Sequence, residues 1–196
     1  MAKPSTPSRE RIVAGAADMI SRRGLNATSI RELAKHARAP LGSTCHYFPE
    51  GKQQLATEAV RYAGGAVSRI LRKELDSGPV AGLRAFLALW RGIVVESEFH
   101  AGCPVLAVSV EEPPAGEIPP ALVAAAEAFE GWERLLVESL RGCGVAHDQA
   151  EGLAVLIVAS VEGATAMCRA KRSAQPLDQV ARQLETLIVG TLDRPA

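Results

Sequence analysis

An all-α fold of about nine helices follows from three features of the sequence. Apolar residues recur at helical spacing along almost the whole chain, no segment alternates apolar and polar residues as a surface strand does, and glycine or proline punctuates the periodic stretches. At 196 residues, 47% hydrophobic and 22% charged, the chain has room for one large domain or two small ones with a real core, which excludes a disordered or fibrous protein.

The first helix, 8 to 23, carries Ile12, Ala16, Met19 and Ile20 on one face and ends at Gly24. Ser29-Ile30-Arg31-Glu32 matches a capping box, in which hydroxyl and carboxylate satisfy each other's amides, so a second helix covers 29 to 36 with Ile30, Leu33 and Ala34 as its apolar face. The chain breaks around Arg38, and Pro40 is placed as the first residue of a third helix, 40 to 47, where its missing amide costs nothing. A fourth helix, 51 to 75, stops before Gly78-Pro79, and a fifth, 79 to 98, repeats Leu83, Phe86, Leu87, Trp90 and Val94. A short sixth helix, 103 to 111, leads into a loop marked by Glu111-Glu112-Pro113-Pro114 and Pro119-Pro120, and the seventh runs from 118 to 141. The eighth, 147 to 172, is apolar on every side from Leu153 to Val161 except at Ser160, and the ninth, 176 to 192, is amphipathic through Leu177, Val180, Leu184, Leu187 and Ile188. Met1 to Pro7 reads as a flexible basic arm.

Lysine plus arginine and aspartate plus glutamate both number 22, but the resulting zero hides a split. Residues 1 to 62 hold ten basic against five acidic side chains, and residues 63 to 196 hold twelve against seventeen. The N-terminal part is therefore expected to meet a polyanion. Cys45, Cys103, Cys143 and Cys168 form no CxxC pair, no metal-ligand spacing and no disulfide framework, which fits a reducing cytoplasm. The first twenty residues lack the order of a signal peptide, and the stretch from Leu153 to Val161 is short of the roughly 20 residues of a membrane span. A cytoplasmic protein without membrane contact, metal or cofactor is expected.

Two short helices joined by a tight turn behind a longer amphipathic one make a helix-turn-helix. At Arg11-Ile12, Ala16-Ala17, Gly24, Ala27 to Ala34, Gly42-Ser43, His46-Tyr47-Phe48-Pro49, Lys52 and Leu55 the chain resembles the TetR family of bacterial regulators. Ala39 to Ser43, Phe48 to Leu55 and Gly102-Cys103-Pro104-Val105 resemble its LmrA/YxaF-like branch. The resemblance implies a DNA-binding domain over 1 to 50 and a C-terminal ligand-binding and dimerisation domain over 51 to 196. The helix from Pro40 to Tyr47 then lies in the major groove with its N-terminal residues at base edges. Gly42 allows close approach, and Ser43 and Thr44 are small donors and acceptors. Thr28, Ser29, His46, Tyr47 and Lys52 hold phosphates, which position without specifying, and Arg31 reaches either phosphate or base. The chain departs from the family at Cys45, where tyrosine is common, and at Leu41, which touches a thymine methyl but cannot hydrogen-bond a base. It departs again at Arg38, which stands where glycine usually takes the turn and must either accept a positive φ or open the turn. Arg38, Pro40 and Leu41 complete the candidate DNA-binding set.

Five aromatic residues, Phe86, Trp90, Phe99, Phe129 and Trp132, fall on the fifth and seventh helices or the link after the fifth, and helix pairs lined this way enclose small molecules or simply form core. The resemblance implies an inducer pocket, adding Cys103, Leu106, Ser109 and Glu162 as candidate lining. Glu162 follows an apolar run, so it is either paired with a basic neighbour or offered to a ligand. An eighth helix apolar all round needs a second cover, and a partner subunit docking on 147 to 172 and 176 to 192 supplies it.

These readings converge on a homodimeric repressor that binds a pseudo-palindromic operator and is released by a lipophilic or aromatic ligand, with Gly64-Gly65 in the fourth helix as a bending point. An all-helical enzyme competes poorly, because no paired carboxylates, phosphate loop or Ser/His/Asp set appears. A helical adaptor for other proteins is the remaining alternative.

Overall fold

The computed structural model describes residues 9–113, 116 and 118–193; the expected N-terminal arm lies outside the described residues. Among these residues it contains nine α-helices and no strand. The helices are α1 (Arg9–Arg23), α2 (Ile30–His36), α3 (Leu41–Tyr47), α4 (Lys52–Leu75), α5 (Pro79–Glu96), α6 (Pro104–Ser109), α7 (Pro120–Gly142), α8 (His147–Lys171) and α9 (Gln175–Leu192). The expected helices are all present, with ends displaced by a residue or two. Pro40 is the correction of most interest: it is the N-cap of α3, with extended backbone and a carbonyl that accepts from Thr44 N at 3.0 Å, and the helix proper begins at Leu41.

Two compact units emerge, one from residues up to Gly64 together with Pro104–Ala126, the other from Gly65–Cys103 together with residues from Glu127 onward. In the first, α1 buries Ile12, Val13, Ala16, Ala17, Met19 and Ile20 against α2, α3 and α6. Fully buried Leu33, Phe48 and Leu55 close this core, each such side chain contributing roughly 1.5–3 kcal/mol. A Cβ at Gly15 would stand 2.7 Å from the Ala37 Cβ, so α1 and the end of α2 pack more closely than any larger residue allows. Gly24, at φ +78°, closes α1 with an amide bonded to Ile20 O at 2.8 Å.

In the second unit α5, α8 and α9 pack on one another. Proline in the first turn starts both α5 and α9, where no intrahelical amide is lost. Arg84 pairs with Glu185, and Arg91 Nε donates to Asp178 Oδ1 at 2.8 Å, bracing α5 to α9 at the surface. Helix α8 buries Leu153, Ala154, Ile157, Val158 and Val161 while Val155 and Leu156 remain exposed. By length and composition α8 is the one described helix able to cross a membrane, although its unbroken apolar run, Leu153 to Val161, is short of a span; the central helix of a helical core has the same length and composition.

Candidate nucleic-acid interface and ligand site

The helix-turn-helix is built by local chemistry. Ser29 caps α2: its Oγ accepts from Glu32 N at 3.2 Å, while Glu32 Oε2 accepts from Ser29 N at 2.8 Å and Ser29 Oγ at 2.7 Å. Those bonds, the hydroxyl first, hold the Glu32 carboxyl below its ordinary range. The turn resolves the choice left open at Arg38, which takes φ +53°. Its amide donates to Lys35 O at 3.1 Å, and Ala39 N donates to Ala34 O at 2.9 Å, the paired bonds of a Schellman ending. A non-glycine residue there costs on the order of 1 kcal/mol, offset by two satisfied carbonyls. Asp18 ties the module together, accepting from Arg22 Nε at 3.0 Å and lying 2.6 Å from His36 Nε2.

Among the candidate DNA-binding residues, Arg31, Arg38, Pro40, Leu41, Gly42 and His46 are exposed, and Ser43, Tyr47 and Lys52 are half-buried. Nothing lies within 4 Å of a Cβ built on Gly42, so the chain's own packing does not demand glycine there. The rings of His46 and Tyr47 sit 5.8 Å apart at the end of α3. Ser29 is exposed but its hydroxyl is engaged in the cap. Thr28 and Thr44 are corrected: both are buried, with hydroxyls donated to Leu25 O at 2.8 Å and Pro40 O at 3.1 Å, so each stabilises its turn from within. The sequence points to them as DNA contacts because a small polar residue in a turn serves the backbone as readily as a partner.

In the second unit, Trp132 is ringed by Phe129 at 5.4 Å, Phe86 at 5.8 Å and Trp90 at 6.4 Å between centroids, mostly edge to face. Phe86, Trp90 and Trp132 are buried, and the indole N–H of Trp90 has no hydrogen-bond partner. Glu162 is 4% exposed and neither carboxyl oxygen has a well-formed hydrogen bond, so of the two alternatives it is not paired with a basic neighbour. Burial pushes its carboxyl up to about 8, with the adjacent thiol of Cys103 pulling the other way. Phe99 is not part of the ring cluster described; it sits at φ +63° beneath the Arg172 guanidinium, 5.9 Å from its centroid. Leu106 and Ser109 are half-buried on α6, in the first unit, with the Ser109 hydroxyl bonded to Val105 O at 2.8 Å.

One functional candidate gave no sequence signal. Glu111, read only as a loop marker, accepts from Leu25 N at 2.6 Å and Asn26 N at 2.7 Å across some 85 residues of sequence.

A capped helix, a left-handed turn and a second helix with an open, glycine-bearing first turn define a helix-turn-helix of the DNA-binding kind, in a chain whose described residues form helices and no strand. Comparison with known proteins gives the family. Residues 12–59 match the bacterial regulatory proteins of the tetR family, and residues 79–183 match the C-terminal domain of LmrA/YxaF-like transcriptional regulators. The chain belongs to the TetR family, in its LmrA/YxaF-like branch, and is a regulator rather than an enzyme. It is 39% identical over 187 residues to an uncharacterised HTH-type transcriptional regulator of Mycobacterium tuberculosis, covering 94% of this chain and 95% of that one. It is 30% identical over 183 residues to the uncharacterised regulator YxaF of Bacillus subtilis, covering 92% and 95%. The fold matches a TetR regulator of Legionella pneumophila, with a TM-score of 0.81 at 19% identity over 94% of this chain and 99% of that one. It also matches a cysteine mutant of the TetR regulator CifR complexed with 26-bp double-strand operator DNA, with a TM-score of 0.73 at 21% identity over 94% and 98%.

Proposed function

We propose that the chain is a cytoplasmic repressor that binds a pseudo-palindromic operator as a homodimer and leaves it when a lipophilic or aromatic molecule occupies the C-terminal domain. The observation that carries the reading is the exposed first turn of α3, where Pro40, Leu41 and Gly42 present backbone and small side chains with nothing packed over Gly42. A helix that reads bases must let the groove edge approach this closely. Arg31, Arg38, His46, Tyr47 and Lys52 surround it with phosphate-binding chemistry, in keeping with the surplus of basic residues in this part of the chain. The operator complex of CifR supports the same use of the fold.

The dimer is proposed through α8 and α9, where Val155, Leu156, Met167, Leu187 and Val189 are exposed. Leu156, Ser160, Val180, Leu184 and Leu187 also line an open groove of about 440 Å³. The ligand site is proposed around the aromatic cluster, with the Trp90 N–H and the Glu162 carboxyl as polar contacts; residues 1 to 50 carry DNA binding and 51 to 196 the remainder. Release requires the ligand to prefer a conformation whose recognition helices no longer fit successive major grooves. Helix α4 runs unbroken through Gly64-Gly65 and is the lever, so alanines at this pair should weaken release more than operator binding.

The test is selection of genomic fragments by the purified protein, then titration of the best fragment across salt. A palindromic fragment bound with a steep salt slope is expected. A Tyr47→Ala, Lys52→Ala double variant should abolish that binding and leave dimerisation unchanged; binding that survives both substitutions refutes the interface.

A further inference from the structure

Helix α6 falls within the stretch that matches the C-terminal domain by sequence but packs on α1, within the unit that holds the helix-turn-helix. It buries Pro104, Val105 and Val108, and its first residue, Pro104, directly follows Cys103, whose thiol neighbours the Glu162 carboxyl. Just past the end of α6, Glu111 sends its carboxylate to the turn between α1 and α2. Oε1 accepts from Leu25 N at 2.6 Å and Oε2 from Asn26 N at 2.7 Å, and Asn26 Nδ2 returns a bond to Glu112 O at 3.3 Å. Bonds from amides to a carboxylate are among the stronger ones, and two of them fix orientation as well as distance. The seat is shaped for this group: a Cβ on Gly24, which sits at φ +78°, would stand 2.2 Å from Glu111 Oε1. Three residues beyond Asn26 lies Ser29, whose capping box starts α2.

We propose that Glu111 is a positioning residue for operator binding: it latches the α1–α2 turn to the end of α6, so that a displacement beginning at Cys103 and Glu162 is delivered to the start of the helix-turn-helix. This rests on the regulator reading above and adds a second route beside α4. Helix α6 is less than two turns long, and two residues past its end the Glu111 carboxylate is held by two backbone amides, which cannot swing away as side-chain donors can. The stimulus enters at the residue joined to α6; the response leaves through Leu25 and Asn26, ahead of Ser29.

The experiment uses the full chain, the operator fragment recovered by selection, and Cys103→Phe as an overpacking stand-in for an occupied site, with Cys103→Met if circular dichroism shows the Phe variant to be unfolded. With Glu111 intact, Cys103→Phe should weaken operator binding about tenfold, in the usual range of coupling between sites, and with Glu111→Ala by less than about twofold. Glu111→Gln, which keeps one acceptor, should restore part of the coupling, and Gly24→Ala should reproduce its loss. Amide hydrogen exchange at Leu25 and Asn26 should speed up at least about tenfold in Glu111→Ala. Equal weakening by Cys103→Phe with and without Glu111 overturns the proposal, as does no weakening in either chain or unaltered exchange at the two amides. Failure of the natural chain to select any operator overturns the regulator reading instead.

Discussion

Glu162→Gln should flatten the pH dependence of folding stability, and the size of the effect follows from burial. The Glu162 carboxyl is 4% exposed without a well-formed hydrogen bond, and burial moves it from 4.5 to about 8. The folded chain therefore keeps a proton that the unfolded chain has lost over this interval. For an acid raised in the folded state, stability is greatest below about pH 4.5, falls as pH rises and levels off above about 8. At about 1.4 kcal/mol per pH unit the full interval is worth about 4–5 kcal/mol, of which about 3 kcal/mol falls between about pH 5 and pH 7.5. Urea denaturation at fixed protein concentration, repeated across this range, measures it; other titrating groups cancel in the difference between the two chains. The natural chain should lose about 3 kcal/mol more than Glu162→Gln. Parallel pH profiles would refute the assignment of a buried carboxyl with no cationic partner.

Gly42→Ala should leave thermal stability equal or raise it by up to about 1 kcal/mol through helix propensity, yet weaken operator binding by about tenfold or more in fluorescence anisotropy. Trp132→Ala removes the ring on which three others meet and should cost about 3–5 kcal/mol in denaturant unfolding. Leu156→Asp places a charge on the proposed dimer face and should yield a monomer in sedimentation with helix content retained. In a Cys143→Ser chain, N-ethylmaleimide should label exposed Cys45 quickly, and bound operator should slow that labelling. Unchanged labelling places α3 outside the groove.

The helices were legible in the sequence because each carries its own signal within a few residues: the Ser29–Glu32 box, Gly24, Gly78-Pro79 and the repeat from Leu83 to Val94. Arg38 was legible as a problem and not as an answer, since choosing between strain and a looser turn depended on the bonds at Lys35 and Ala34. Thr28 and Thr44 are ambiguous in sequence because a threonine hydroxyl reaches its own turn as well as a phosphate, in the one case, or a base edge, in the other. The site residues that sequence brought forward in the C-terminal half include a true cluster, Phe86, Trp90, Phe129 and Trp132, yet nothing in their spacing separated Phe99 from it. Glu111 was invisible because its partners are backbone amides, and a backbone donor leaves no trace in residue identity.

The placement of α6 with the helix-turn-helix bears on how such regulators are cut and rejoined. A fragment ending in α4 contains every residue of the tetR-family match but leaves behind Pro104, Val105 and Val108, which pack beside α1, and the carboxylate that holds Leu25 and Asn26. Grafted onto a foreign C-terminal domain, it would inherit whatever sixth helix that domain carries. Exchanging sensors between relatives should therefore succeed when residues 104–112 travel with the reading head, and otherwise give chimeras that bind operator weakly and answer no ligand.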